Sequence, residues 1–243
     1  MPLWLRIMLP ILGVVGFFVA KVPFDARLAW VSSVAILGFA VPAFAAVLRS
    51  APPRRSVPLL LGLSCFALGI EALSITTGFP YSRFTYSETI GGRLFGLVPW
   101  TVPFAWIPLV AGALARWGGL EPRYRVAAAA AHLVAIDLLL DPAAVKLGFW
   151  KYASGSAYYG VPAQNFAGWV LSGGLAAWVV VRVGGARPLP VPAGDSLAMI
   201  LVFWTSVCAF AGLWVPAAVG AAITVDLLRH RVGTAKRAAT GGN

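Results

Sequence analysis

The chain has 243 residues, of which 60% are hydrophobic and 11% charged, whereas an ordinary soluble domain has about 25% charged residues. Long apolar stretches recur, which excludes a soluble enzyme with an anchor and indicates a polytopic membrane protein. The net charge of +11 falls between apolar runs rather than on one aromatic-laced basic face, so it reports membrane topology and not a nucleic-acid partner.

The apolar runs predict an all-α, polytopic transmembrane helix bundle of about 8 spans, at residues 3–20, 28–48, 57–76, 97–115, 126–147, 166–182, 196–212 and 214–228. Helices are expected because only helices and closed barrels satisfy backbone polar groups in lipid. The first run has the length of a signal peptide, but Lys21-Val22-Pro23 offers no small-residue cleavage site, so it is read as a span. Residues 196–228 would extend about 50 Å as one helix, too long for a single crossing. Gly212 and Pro216 supply the turn that divides them. Residues 1–231 form one transmembrane domain, and 232–243 form a short polar tail expected to be disordered.

Thirteen of the basic residues lie on the N-terminal side of the bilayer, among them Arg54, Arg55, Arg123 and Arg125, and six lie opposite. The positive-inside rule then places both termini in the cytoplasm, for a multi-pass protein of the cell's inner (plasma) membrane. Cys65 and Cys208 lie inside apolar runs and read as small packing residues. Small residues at Ala127–Ala131 permit close helix packing, within or between subunits.

The fifth span ends Asp137-Leu138-Leu139-Leu140-Asp141-Pro142. Residues four apart share one helix face. A carboxylate at membrane depth is expensive and a second beside it more so, which points to chemistry. At about 1.5 Å per residue, Glu71 lies about 21 Å along the third span, Asp137 about 17 Å and Asp141 about 22 Å along the fifth. All three therefore share a level in the outer half of the bilayer. The loops beyond are aromatic: Phe79, Tyr81, Phe84 and Tyr86 in one, Phe149, Trp150, Tyr152, Tyr158 and Tyr159 in the other. Both are placed to cap one cavity. A faint internal echo links Glu71 and Gly78-Phe79 to Asp141 and Gly148-Phe149, at the same spacing.

Each feature has a plainer alternative. The aromatics fit an interfacial belt, Asp141 a hydrated helix end, and Glu71 an ion pair with Arg83 or Arg93. His132 is read as packed and hydrogen-bonded, Asp226 and Arg229 as a boundary pair, and Asp25 and Asp195 as ordinary loop residues.

Two histidines cannot build a histidine-rich metal cluster. No C-x-x-C, dinucleotide, nucleoside-triphosphate or nucleophile-elbow motif is present. No cofactor and no metal are therefore expected. Carboxylic acids in an apolar, aromatic chamber remain. Desolvation and a neighbouring carboxylate keep such a group protonated and fit it for general-acid work. Protonation of a trisubstituted alkene would give a tertiary cation, stabilised by aromatic faces and captured by water.

The run D-x-x-x-D-P (Asp137–Pro142), Phe149-Trp150, Tyr158-Tyr159-Gly160-x-Pro162, Asn165-x-x-Gly168-Trp169, with Gly78-Phe79-Pro80-Tyr81-x-Arg83-x-x-Tyr86, Gly92, Gly96 and Pro99 before it, resembles the integral-membrane carotenoid hydratases. These include γ-carotene 1′-hydratases and bisanhydrobacterioruberin hydratases. The resemblance covers roughly residues 60–180. It implies cofactor-free addition of water across the C1′–C2′ double bond of a linear carotenoid ψ end, of γ-carotene or lycopene type. Its partners would be carotenoid, water and the lipid bilayer, together with other carotenoid-biosynthesis enzymes. On this reading Asp137 is the proton donor, because it is deeper, and Asp141 and Glu71 tune it or position water. Tyr81, Arg83, Tyr86, Trp150, Tyr158, Tyr159 and Trp169 would face the substrate, and Asn165 would hydrogen-bond water. A proton-initiated end-group cyclase and a carotenoid-binding or transport protein are the alternatives.

Overall fold

A computed structural model describes residues 1–22, 26–154, 158–185 and 187–240, with side chains up to residue 233. Asp25 lies outside the described residues. The described chain contains α1 (Leu3–Lys21), α2 (Ala29–Ser50), α3 (Pro53–Thr77), α4 (Val102–Arg116), α5 (Pro122–Lys146), α6 (Ala163–Gly184), α7 (Ala193–Phe210) and α8 (Trp214–Thr240). Six of these, α1, α2, α3, α5, α6 and α7, are long and apolar enough to cross a membrane. Large apolar side chains such as Ile7, Val34, Leu61 and Val170 lie exposed on the outside of the bundle, as a lipid-facing surface requires.

α4 is apolar all round and nearly every residue from Val102 to Leu114 is buried, which marks a helix enclosed by others. α2, α3, α5, α6 and α7 pack around it. Close approach is set by small residues. A methyl group built on Gly112 would stand 2.4 Å from the Leu197 Cβ, and one on Gly174 would stand 3.7 Å from the Ala130 Cβ. The alanine run of α5 thus meets α6 within the chain.

The expected division of residues 196–228 falls at Gly212, which has φ +78°. Leu213 N–H reaches the Cys208 carbonyl and Gly212 N–H the Ala209 carbonyl, a Schellman closure that only a left-handed residue completes cheaply. The fourth expected span begins late. Residues 97–101 do not join the helix, because strand β3 (Val98–Pro99) pairs with β2 (Arg93–Leu94) in a short ribbon and α4 starts at Val102. The backbone is helical through Thr240, past the tail boundary drawn at Val232, in a stretch rich in helix-forming Ala, Lys and Arg.

Long-range ion pairs close the end of the bundle opposite the ribbons. Arg116 grips Asp226 with two hydrogen bonds of 2.7 and 2.8 Å, so Asp226 is partnered by α4 and not by Arg229. Asp195 is no loop residue either. It lies buried in the first turn of α7, paired with Arg231 of α8. Trp117 Nε1 donates to His132 Nδ1 at 3.1 Å, the packed and bonded state expected of that histidine. Gly112→Ala forces the Leu197 Cβ aside and is expected to destabilise the bundle by about 1–3 kcal/mol. The midpoint of thermal unfolding in detergent measures the loss.

Candidate active site

The site is built where α3 and α5 leave the bundle at the same end. α3 stops at Gly78 and α5 just before Gly148, both left-handed, with φ +88° and +72°. Beyond each lies a three-residue strand, β1 (Phe84–Tyr86) and β4 (Trp150–Tyr152). They pair antiparallel, Phe84 opposite Tyr152 and Tyr86 opposite Trp150. Alternation along a strand sends Phe84, Tyr86, Trp150 and Tyr152 to one face and Thr85 and Lys151 to the other. The four aromatics line the cavity described below, while Thr85 and Lys151 are exposed. The two aromatic loops therefore do cap one chamber.

Each carboxyl helix receives a phenol from the strand that follows it. Tyr86 OH donates to Glu71 Oε2 at 3.0 Å, and Tyr152 OH donates to Asp141 Oδ2 at 2.6 Å. Burial, with Glu71 next in effect, pushes the Tyr86 phenol well above its ordinary range. Burial, with Asp141 next, does the same for Tyr152. Both phenols thus stay protonated and serve as donors. The faint echo between Glu71 and Asp141 is a geometric relation between two helix–cap–strand units.

Asn165, in the first turn of α6, spans the aspartates. Its amide nitrogen donates to Asp137 Oδ2 at 2.5 Å and to Asp141 Oδ2 at 2.7 Å, using both hydrogens of one amide. The aspartate carboxyls are also within hydrogen-bonding reach of each other. Glu71, Asp137, Asp141 and Asn165 are all buried. Beside them Tyr81 OH hydrogen-bonds Ser172 Oγ at 2.6 Å, and Trp169 stacks on Trp106 with centroids 5.7 Å apart. Gly168 lets Tyr81 lie against α6, since a methyl there would stand 2.5 Å from the tyrosine ring. Glu71, Asp141, Asn165, Tyr81, Tyr86, Tyr152, Trp150 and Trp169 line a cavity of about 250 Å³ whose other walls, Ser32 and Thr101 apart, are apolar.

The family described as carotenoid biosynthesis protein matches residues 16–227. The chain belongs to this family. Bisanhydrobacterioruberin hydratase of Haloarcula japonica is 35% identical over 188 residues, covering 72% of this chain and 64% of that protein. The chain therefore spans just under two thirds of the relative's length. No solved structure matches. Every carboxyl, phenol and amide of the site lies within the family match.

Four expected site residues are placed differently. Asp137 does not line the cavity but stands behind Asp141, reached through Asn165. Arg83 is exposed and folds over Gly78, away from the chamber. Tyr159 is exposed. Tyr158 donates to the Leu138 carbonyl at 2.9 Å. Pro142 has no N–H for that carbonyl, so Tyr158 supplies the hydrogen bond that helix α5 lacks. Nor does Glu71 pair with Arg93, which binds Glu88 at 3.8 Å instead.

Conversely, Tyr152 and Trp106 line the cavity beyond the residues that the sequence assigns to the site. The F-T-Y and W-K-Y alternation carried a signal for Tyr152, but nothing distinguishes Trp106 from core packing within an apolar helix. Among the described residues no set of three His, Cys, Asp or Glu side chains is placed to hold a metal ion.

Two substitutions separate these roles. Gly168→Ala should displace Tyr81, costing about 1–3 kcal/mol and lowering turnover, measured by thermal unfolding and by product formation. Tyr158→Phe leaves the Leu138 carbonyl unsatisfied, at about 1–3 kcal/mol. Its melting temperature should fall, while turnover per folded molecule changes far less than for a cavity variant.

Proposed function

We propose that this carotenoid-biosynthesis protein is a carotenoid hydratase, adding water across the C1′–C2′ double bond of a linear ψ end without a cofactor. The observation that carries the reading is the pair of carboxyls, Asp137 and Asp141, held together by the Asn165 amide, with Asp141 and Glu71 at the wall of an apolar aromatic cavity. Two carboxyl groups in contact in a dry site are joined most readily by one shared hydrogen. Asp141 lines the cavity and is assigned as the donor, with Asp137 behind it holding the pair's second carboxyl. Asn165 and Tyr152 fix Asp141's other contacts and so its direction.

The proton goes to C2′ and leaves a tertiary cation at C1′. The faces of Trp106, Trp150 and Trp169 offer it quadrupole stabilisation. Water adds at C1′ and gives up a proton, for which Glu71 is the base. The sum is alkene plus water to tertiary alcohol, with no electron transferred. The name of the Haloarcula japonica relative supports the reaction class. Substrates of the γ-carotene or lycopene type carry the required end group.

In the same reading all eight helices cross the cell's inner (plasma) membrane. Both termini lie in the cytoplasm, and the site lies in the outer half of the bilayer. The excess of basic residues on the terminal side supports this orientation.

Expression in a host making lycopene or γ-carotene, followed by mass spectrometry of the pigments, tests the activity. A gain of one water is expected, with one solvent deuterium at C2′ when the reaction runs in heavy water. Asp141→Asn, which keeps the shape but cannot deliver a proton, should reduce product by about 10²–10⁴-fold without lowering the amount of folded protein. An unchanged mass with a shifted absorption spectrum would establish cyclisation instead. Pigment retained unmodified would establish a binding protein.

A further inference from the structure

The cavity does not end at the carboxyls. It continues past Phe104 and Trp106 of α4 to Ile36 and Phe39 of α2 and to Val15 and Val19 of α1, with Trp204 of α7 behind. α1 and α2 each pack along α7 but scarcely touch each other. The chamber therefore reaches the outside of the bundle through the gap between them. Val15, Val31 and Ala35 stand at this mouth and are exposed. Ser32 is polar, but its hydroxyl is bound to the Thr89 carbonyl at 3.2 Å, which leaves the passage apolar. Both walls belong to membrane-spanning helices, so the mouth faces hydrocarbon and not water.

Size decides what such a mouth is for. The cavity holds about 250 Å³, below the roughly 300–1,000 Å³ of pockets that enclose a drug-sized ligand. A polyene of carotenoid length is not enclosed in it. We infer that the α1–α2 cleft is a lateral subsite for an extended polyene. The end group reaches in to Asp141 and Glu71, while the rest of the chain runs out between α1 and α2 into the bilayer. The identity of the end group rests on the hydratase reading; the cleft's fit to an apolar extended chain rests on its own geometry. A consequence for specificity follows. The far end of the substrate stays in lipid, so linear and ring-bearing far ends are accepted alike, and a substrate with two reactive ends enters twice.

The test obstructs the cleft after folding. In a Cys65→Ser background, the Ala35→Cys protein is purified, labelled with a bulky maleimide and incubated with liposomes containing an acyclic carotene. Bound polyene and hydrated product are then measured separately. Labelling should lower bound polyene at least tenfold relative to the unlabelled Ala35→Cys protein. The same label on Val41→Cys, exposed elsewhere on α2, should change neither readout. Equal loading with and without label at position 35 overturns the subsite. So does an unlabelled protein that binds no polyene, or an equal block from position 41. Loading blocked by the label, with no hydrated product from any form, would keep the cleft and remove the hydratase reading.

Discussion

A carboxyl group inside an apolar helix bundle must find within the protein the hydrogen bonds that water would have given it. Glu71, Asp137 and Asp141 find them in Tyr86, Tyr152 and Asn165. Those donors come from β1, β4 and α6, so the bonds that solvate the acids also fix both loops and α6 against α3 and α5. Burial of the acids and closure of the chamber are a single arrangement. Removing one donor leaves a buried acceptor unmet and loosens an element of the lid at the same time.

How far the sequence discloses this depends on the range of each interaction. The i, i+4 spacing of Asp137 and Asp141 is local, and Asn165 does bind both. The shared depth of Glu71 follows from helix rise alone and is met by its place on the same cavity. The break at Gly212 is local too, and it occurs where the glycine stands. What escaped was long-range. Arg116 reaches Asp226 across 110 positions of chain, which no spacing rule anticipates, whereas the nearer Arg229 is the partner that spacing suggests. Trp106 is one apolar residue among many in α4 until the fold shows Trp169 on its face. The contributions of α1, α2 and α7 to the cavity arise from packing and, Ser32 apart, are apolar.

Two residues of the aromatic run show that enrichment near a site is not membership of it. Tyr158 serves the backbone: Pro142 frees the Leu138 carbonyl one residue after Asp137, and the phenol repairs the helix there. Gly168 acts by absence, because its missing side chain is the space Tyr81 occupies. Neither needs to touch a substrate: one completes the backbone bonding of α5 and the other makes room for a wall of the chamber.

The ribbon of β1 and β4 has three residues on each side, and its side chains alternate with a period of two. A shift of either strand by one residue would turn a whole inward set to the outside. Slippage of β1 would carry off Phe84 and Tyr86 together; slippage of β4, Trp150 and Tyr152. A slip of β1 would strip Glu71 of its phenol and a slip of β4 would strip Asp141 of its own, so a few main-chain bonds act as a latch on the constellation.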